Sequence, residues 1–367
     1  MHFQYIIQKR LLQHYIISFI VVLILSCKDR SENKDNTTII TNTPTTKITP
    51  QKKEINGGLY FPEGFTATVV VDSIGPSRHI AVNTNGDIYA KLREPNGTKG
   101  NMALRDTTGN GVANIIQRFG DYPNDGTFAT EMRIHNGYLY FSSEQVIYRQ
   151  KLSPNQLIPE NKPEVILTDY FPKRWHNAKS LAFDKKGNMY VTFSAPTNAC
   201  EDPNSVGQIK GMKPCPGLEV LGSIWRFDEN KLNQSQQDGE LYATGIRSMV
   251  AISWNDMDNS LYGLQHGRDY LHNHAPQYYS KWDQAVLPAE EFMKIEKAFI
   301  AFHGSMNRTP YPQAGYIVAF IPFNNGKPTG TWEVFADGFA GVDTIVSMPD
   351  AKYRPMGLAE GADSSLY

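Results

Sequence analysis

SLAFDKKGNMYVTF, residues Ser180 to Phe193, decides how the chain is read. An apolar run leads into a polar turn of Asp, Lys, Gly and Asn, and a second apolar run follows, opening with the hydrophobic-Tyr pair Met189-Tyr190. Gly and Asx residues supply the backbone conformations and local hydrogen bonds that reverse a chain, so the stretch reads as a β-hairpin. The same pattern recurs as HIAVNTNGDIYAKL (His79–Leu92), MRIHNGYLYFSS (Met132–Ser143), VAISWNDMDNSLYGLQ (Val250–Gln265) and GLAEGADSSLY (Gly357–Tyr367). The pair positions Ile88, Leu139, Met189, Leu261 and Leu366 are separated by 51, 50, 72 and 105 residues. A spacing of about fifty residues is one four-stranded propeller blade, and the longer intervals read as a blade with an insert and as about two blades. QVIYRQKL, SIWRFDEN and GYIVAFIPFNNGKPTGTWEVFA supply further strands. The expectation is an all-β fold, a six-bladed β-propeller or most of one; a chance series of ordinary hairpins is the alternative.

Composition agrees with many short strands. Gly, Pro, Tyr and Phe are plentiful, and a chain of 367 residues is long enough to bury a large core. Thirty-six basic against 37 acidic residues leave the net charge near zero, which gives no reason to expect a nucleic-acid partner. Residues 1–27 read as an export leader: Lys9 and Arg10 precede an apolar core from Tyr15 to Leu25, and Ser26-Cys27 closes it. An eleven-residue core is short for a spanning helix. The Ser-Cys end resembles a bacterial lipobox, which implies lipidation at Cys27 and an exported, membrane-anchored lipoprotein on the periplasmic or cell-surface side; an uncleaved anchor is the alternative. Residues 28–56, with seven threonines between Thr37 and Thr49, are too polar to offset their ordering entropy and read as a linker. The propeller domain is then 57–367.

Two cysteines remain. Cys200 and Cys215 lie in a loop-forming stretch without a strand pattern, and in an exported protein a disulfide is expected, limiting the unfolded loop by roughly 3 kcal/mol on the chain-entropy model. Free thiols or a metal site are the alternatives, although no nearby His completes a tetrahedral set. Two places break the pattern. GADSSLY ends in mid-strand, and at Glu296–Lys297 an approach loop (LPAEEFMKIEK) runs straight into a strand (AFIAFHGS) without a turn.

Chemistry-bearing residues concentrate between Gly245 and His274, where Arg247, His266, Arg268, Asp269, His272 and His274 crowd the ends of two strand-like runs. Cations and imidazoles at strand ends are how a sheet protein grips an anion, whereas solvated loop charges are the plain alternative. The stretches RWHNAKSLAFDKKGNMYVTF, ATGIRSMVAISW, LYGLQHGRDYLHNHAPQYY, FIAFHGSMNRTPYPQAGYIVAF and YRPMGLAEGADSSLY resemble the glucose/sorbosone dehydrogenases, soluble-type pyrroloquinoline-quinone enzymes on a six-bladed propeller. The resemblance covers roughly Leu59 to the end and is most specific from His266 to Tyr279. It implies a quinone held with a Ca2+ ion on top of the propeller. It makes His176 the base that takes the substrate hydroxyl proton while a hydride passes to the cofactor. It makes Arg247, His303 and Arg354, with Arg78 as a further candidate, the contacts to the quinone, and it turns backbone oxygens of Gly267 and Arg268 to calcium.

These residue types suit the task. A tricarboxylate needs several guanidiniums, each able to make two coplanar charge-assisted bonds, and an imidazole accepts protons near neutral pH. Structural loop roles for His176, Arg247 and His303 are the alternatives. Asp106-Thr-Thr-Gly-Asn-Gly-Val-Ala-Asn114 echoes a calcium loop but is short of carboxylates, and reads as a strand-connecting turn. Against the family pattern, about a blade of sequence is missing between Glu296 and Lys297, Met306 stands where Trp is usual, and Ser248 follows Arg247 where Asn is frequent. The expected function is oxidation of a sugar, polyol or sugar aldehyde, with electrons passed to an external acceptor. The alternative is a non-catalytic propeller that binds carbohydrate or a protein partner. A hydrolase is disfavoured because no G-x-S-x-G elbow occurs.

Overall fold

The structure, a computed structural model, describes residues 56–367 except 124–130, 170–175, 177–178, 202–210, 216, 219, 257, 287–290, 294–297, 307 and 325–326. The leader with Cys27, nearly all of the 28–56 linker and the Glu296–Lys297 junction lie outside the described residues.

Three consecutive antiparallel meanders of four strands open the fold. The first runs through β1 (Ser77–Val82), β2 (Ile88–Asn96), β3 (Lys99–Arg105) and β4 (Ile115–Phe119). The second holds β5 (Met132–His135), β6 (Tyr138–Ser142), β7 (Val146–Lys151) and β8 (Glu164–Thr168). The third holds β9 (Leu181–Phe183), β10 (Asn188–Phe193), β11 (Ser223–Asp228) and β12 (Glu240–Thr244). A three-stranded sheet follows, of β13 (Met249–Asn255), β14 (Ser260–Gln265) and β15 (Glu291–Met293). The helices α1 (Leu271–His274) and α2 (Lys281–Val286) sit between β14 and β15. The fifth sheet pairs β16 (Ala298–Phe302), β17 (Ile317–Ile321) and β20 (Glu333–Ala336), with a small ribbon of β18 (Phe323–Asn324) and β19 (Lys327–Pro328) between the last two.

The recurring hairpins are the first two strands of a sheet, and their turns form for local reasons. Between β5 and β6, Asn136 and Gly137 have φ of 46° and 75°, the two positive values a two-residue hairpin turn requires and the conformation Asn and Gly tolerate best. At Asp184, the carboxylate accepts the N–H groups of Lys186 and Asn188 and so fixes the turn from β9 to β10. The Asp106 segment is likewise a turn: its carboxylate accepts N–H groups of Thr108, Gly109 and Gly111 at 2.7–2.9 Å.

From the first sheet to the fourth, each packs its face on the next, as propeller blades do. Tyr89 and Phe119 of the first meet Leu139, Phe141 and Tyr148 of the second. Ile147, Ile166 and Leu167 meet Leu181, Met189 and Phe227 of the third, whose Ala182, Tyr190 and Ile224 meet Met249 and Ile252 of the fourth. Sandwiching explains why β6, β7 and β10 are buried on nearly every residue, and each large side chain so enclosed contributes about 1.5–3 kcal/mol. The sheets also meet through buried polar groups. Glu131 accepts N–H groups of Met132 and Leu181, and Arg133 donates to the carbonyl of Ile252, so the second sheet is tied to the third and fourth. His79 of β1 lies 3.7 Å from Glu131; burial drives the carboxyl up and holds the imidazole down at about 3, so the ring carries no charge there.

The ends of the described chain meet the first and fifth sheets. Tyr60 and Asp337 exchange main-chain hydrogen bonds at the end of β20. Near the last residues, Ala359 and Tyr367 each donate to the other's carbonyl, pairing this stretch as a small hairpin. Leu358 packs with the fifth sheet's cluster and Tyr367 with that of the first.

Candidate active site

Successive loops of a meander fall at alternate ends of the sheet, so the connections between sheets and the loops after second strands share one end. These carry His176, Arg247 and the 266–274 segment. Arg247 lies between β12 and β13 and is 9% exposed, yet every N–H is directed at an acceptor. Nε meets both the carbonyl and Oδ1 of Asn198, at 3.1 and 3.0 Å. Nη1 meets the carbonyl of His266 at 3.2 Å, and Nη2 is shared among Asn198 Oδ1, Asp269 Oδ2 and His176 Nε2 at 2.7, 2.9 and 3.1 Å.

Arg247 can only donate, so Nε2 of His176 is an acceptor and the ring proton sits on Nδ1. Nδ1 is buried without a partner among the described residues. Asp269 Oδ2 is 3.9 Å from Nε2, an electrostatic contact rather than a hydrogen bond. Burial lowers the pKa of His176; Asp269 opposes this, and Arg247 and His266 add to it, so the ring is neutral at pH 7. For Asp269 burial acts upward, but His176, His266 and Arg247 outweigh it and hold the carboxyl at about 2.

A second group forms around the loop after β16. Arg354 donates through Nε to the His303 carbonyl at 2.8 Å and through Nη2 to the Gly304 carbonyl at 3.0 Å, with His303 Nδ1 also 2.8 Å away. Burial, then Arg354, lowers the pKa of His303, and His266 contributes in the same direction. Trp282 and Tyr311 meet edge to face at 4.9 Å, joining the loop after β14 to the loop after β16. These loops therefore share an end, and β16 runs as the second strand of a sheet does. Among the described residues the fourth sheet ends one strand early and the fifth begins one strand late.

Arg78, at the start of β1, completes the arc. Its only hydrogen bond among the described residues is a 3.9 Å contact to the sulfur of Met356, and burial followed by repulsion from Arg93 and Arg354 lowers its pKa to about 10. No carboxylate neutralises Arg78 or Arg354 among the described residues. Gly267 and Arg268 are less suggestive: the Gly267 carbonyl lies 2.9 Å from His266 Nδ1, and the Arg268 guanidinium sits 6.0 Å from the Tyr279 ring centre. No group of three or more His, Cys, Asp or Glu side chains that could hold a metal occurs among the described residues.

Cys200 and Cys215 are disulfide-bonded with Cα atoms 5.7 Å apart. Two residues earlier sits Asn198, which no sequence motif singles out and which the structure hydrogen-bonds to Arg247 and Asp269. Its nearness to Cys200 was the one available signal. Asp269 stood in the charged cluster without a role.

A family model described as TrAA12-like matches residues 59–297, ending at the junction where the strand pattern breaks. No curated protein matches the chain. Among solved structures, the holo form of the pyranose dehydrogenase PQQ domain from Coprinopsis cinerea is similar with a TM-score of 0.61 at 15% identity, over 87% of this chain and 95% of that one. The iodide structure of a Trichoderma reesei carbohydrate-active enzyme of family AA12 gives 0.59 at 15% identity, over 83% and 93%. Its calcium structure gives 0.57 at 14%, over 85% and 93%. At such identities the likeness concerns the fold.

Proposed function

Because the chain belongs to the TrAA12-like family, we propose that it is a quinone-dependent dehydrogenase that oxidises a sugar, polyol or sugar aldehyde. One observation carries the reading: Arg78 and Arg354 are partly buried, Arg354 repels Arg78, neither has a carboxylate among the described residues, and the imidazole of His303 lies against Arg354. Such a pair is stabilised by an anion, and a planar guanidinium suits a carboxylate. Pyrroloquinoline quinone, an anion named for the similar Coprinopsis cinerea domain, fits this donor set. When bound it supplies the two-electron acceptor for a carbinol C–H. Arg78 and Arg354 would hold its carboxylates, and His303 is kept in place by Arg354. Arg247 spends its N–H groups on the protein, so its part is to fix His176 and Asp269. His176 takes the hydroxyl proton at Nε2 once substrate displaces the 3.1 Å contact from Arg247 Nη2, which keeps its shorter bonds to Asn198 and Asp269. The described residues do not give calcium an acidic cage, and no role in the chemistry is assigned to it.

The 357–367 hairpin, packed on clusters of both the fifth and the first sheets, supports reading the fold as six-bladed. On the reading of residues 1–56 the site works outside the cytoplasm on a lipid tether and delivers electrons to an external acceptor. The fourth and fifth sheets, three-stranded among the described residues, favour the second reading, a propeller that binds a sugar or a protein without turnover.

Titrating the full chain with the quinone and calcium should show saturable binding, weakened roughly tenfold or more by Arg78→Met or Arg354→Met. The loaded protein should reduce a redox dye with at least one aldose. No quinone binding by a folded chain sinks the dehydrogenase reading and selects the second.

A further inference from the structure

We propose that Asn198 is the positioning residue of this site, and that the disulfide-closed segment holds it there. Asn198 is 3% exposed although it belongs to a loop. Its Oδ1 receives three N–H groups, from Arg247 Nε at 3.0 Å, Arg247 Nη2 at 2.7 Å and Asp269 N at 2.9 Å. Its Nδ2 donates to the Asp269 carbonyl at 2.5 Å, and its own carbonyl receives Arg247 Nε at 3.1 Å. The amide can sit only one way round: the partners of the oxygen are all donors, and the partner of the nitrogen is an acceptor. One side chain thus grips the guanidinium of Arg247 and both main-chain groups of Asp269, the two residues that face His176.

The segment carrying Asn198 is fixed in turn. Glu201 accepts the N–H groups of Asn198 and Ala199 at 2.9 and 2.5 Å. Cys200 adopts a left-handed φ of 60°, which a non-Gly residue keeps only when its surroundings over-determine it. Those surroundings are a hydrogen bond from Cys200 N to Thr197 Oγ1, one from Met212 N to the Cys200 carbonyl, the Glu201–Gly211 bridge and the disulfide to Cys215. The cross-link therefore does more than shorten the unfolded loop. It immobilises an amide that orders residues 49 and 71 positions away.

The effect on turnover rests on the dehydrogenase reading, whereas the clamp itself does not, so the test has two arms. In the full chain without cofactor, Asn198→Ala should speed hydrogen exchange of the peptide covering 266–271 by roughly tenfold, as expected when a buried hydrogen bond to a main-chain amide is lost, while exchange in β6 is unchanged. Reduction of the disulfide under native conditions should reproduce that change. In the quinone-loaded protein, kcat per bound quinone should fall by roughly tenfold or more with sugar KM nearly unchanged, because Asn198 orders Arg247 and Asp269 rather than touching substrate. A mere loss of folded protein would not produce this split. Should Asn198→Ala fail to fold, Asn198→Ser, which keeps one acceptor, decides alone with a smaller change of the same sign. Unchanged exchange in a folded variant overturns the clamp. Faster exchange with no turnover even in the parent chain supports the clamp and overturns the dehydrogenase reading. Exchange untouched by disulfide reduction overturns the role of the cross-link.

Discussion

His176 is useful as a base only while its Nε2 lone pair is free of a proton, and its surroundings see to that. Burial and the nearby Arg247 and His266 place its pKa below the ordinary 6.5, with Asp269 opposing them. The activity of the quinone-loaded protein should therefore hold as pH falls from 7 through 6.5 and decline only below that, and His176→Gln should abolish turnover while leaving quinone binding intact. A kcat/KM profile whose acid limb is centred at or above 6.5, or turnover by His176→Gln, would remove His176 as the base. Stability shares the sign. Between its lowered value and 6.5 the folded His176 binds fewer protons than the unfolded one, so the fold loses stability as pH drops through that window. Asp269 follows lower down, its contribution present above 3.8 and lost as pH falls toward 2. Histidine with arginine in strand-end loops was legible in the sequence as a site for an anion and a proton. The inward tautomer was not, since it follows from Arg247, 71 residues away.

The loop between β16 and β17 shows how one element is held to serve another. Gly304 has φ +94°, and a Cβ there would fall 2.2 Å from the Tyr316 ring, while Gly315 brings its own backbone against Gly304. Tyr316 is itself nearly fully buried and donates its hydroxyl to the Ser305 carbonyl at 3.0 Å. The carbonyls of His303 and Gly304 then face Arg354. Gly304→Ala should destabilise the protein by about 2–4 kcal/mol, since strain at a positive φ adds to overpacking against a ring that cannot retreat. It should also weaken quinone binding, because Arg354 loses its anchor. Denaturant midpoints and a quinone titration would check both, and a loss below about 0.5 kcal/mol would contradict the packing argument. Hairpins such as β5–β6 and β9–β10 were readable from sequence because their turn residues, strands and hydrogen bonds lie within a few positions of each other. The Asn198 clamp and the seat of Gly304 on Tyr316 were not, because both depend on contacts made only after the sheets assemble.

Across the whole molecule, packing of sheet on sheet replaces any single core, and its weak points follow from strand count. From the first sheet to the third, each second strand has a neighbour on both sides, whereas among the described residues β15 pairs only with β14 and β16 only with β17. The repeat spacing could reveal the number of hairpins, but not which strand of a sheet a particular run becomes. That is set by the end at which its loop emerges, and the loop after β16 emerges beside the loop after β14. An unpaired strand edge leaves a row of N–H and C=O groups open to water or to another chain. Amides in such strands exchange through local opening, while those of a doubly flanked strand need a larger unfolding. Exchange followed by mass spectrometry on the full chain should accordingly find peptides covering Glu291–Met293 and Ala298–Phe302 exchanging at least about a hundredfold faster than Tyr138–Ser142, a gap of roughly 2.7 kcal/mol in opening free energy. Equal protection at micromolar protein that disappears on dilution would mean a second copy covers these edges. Equal protection independent of concentration would mean that the chain itself supplies the flanking strands, and that the fourth and fifth sheets are not three-stranded.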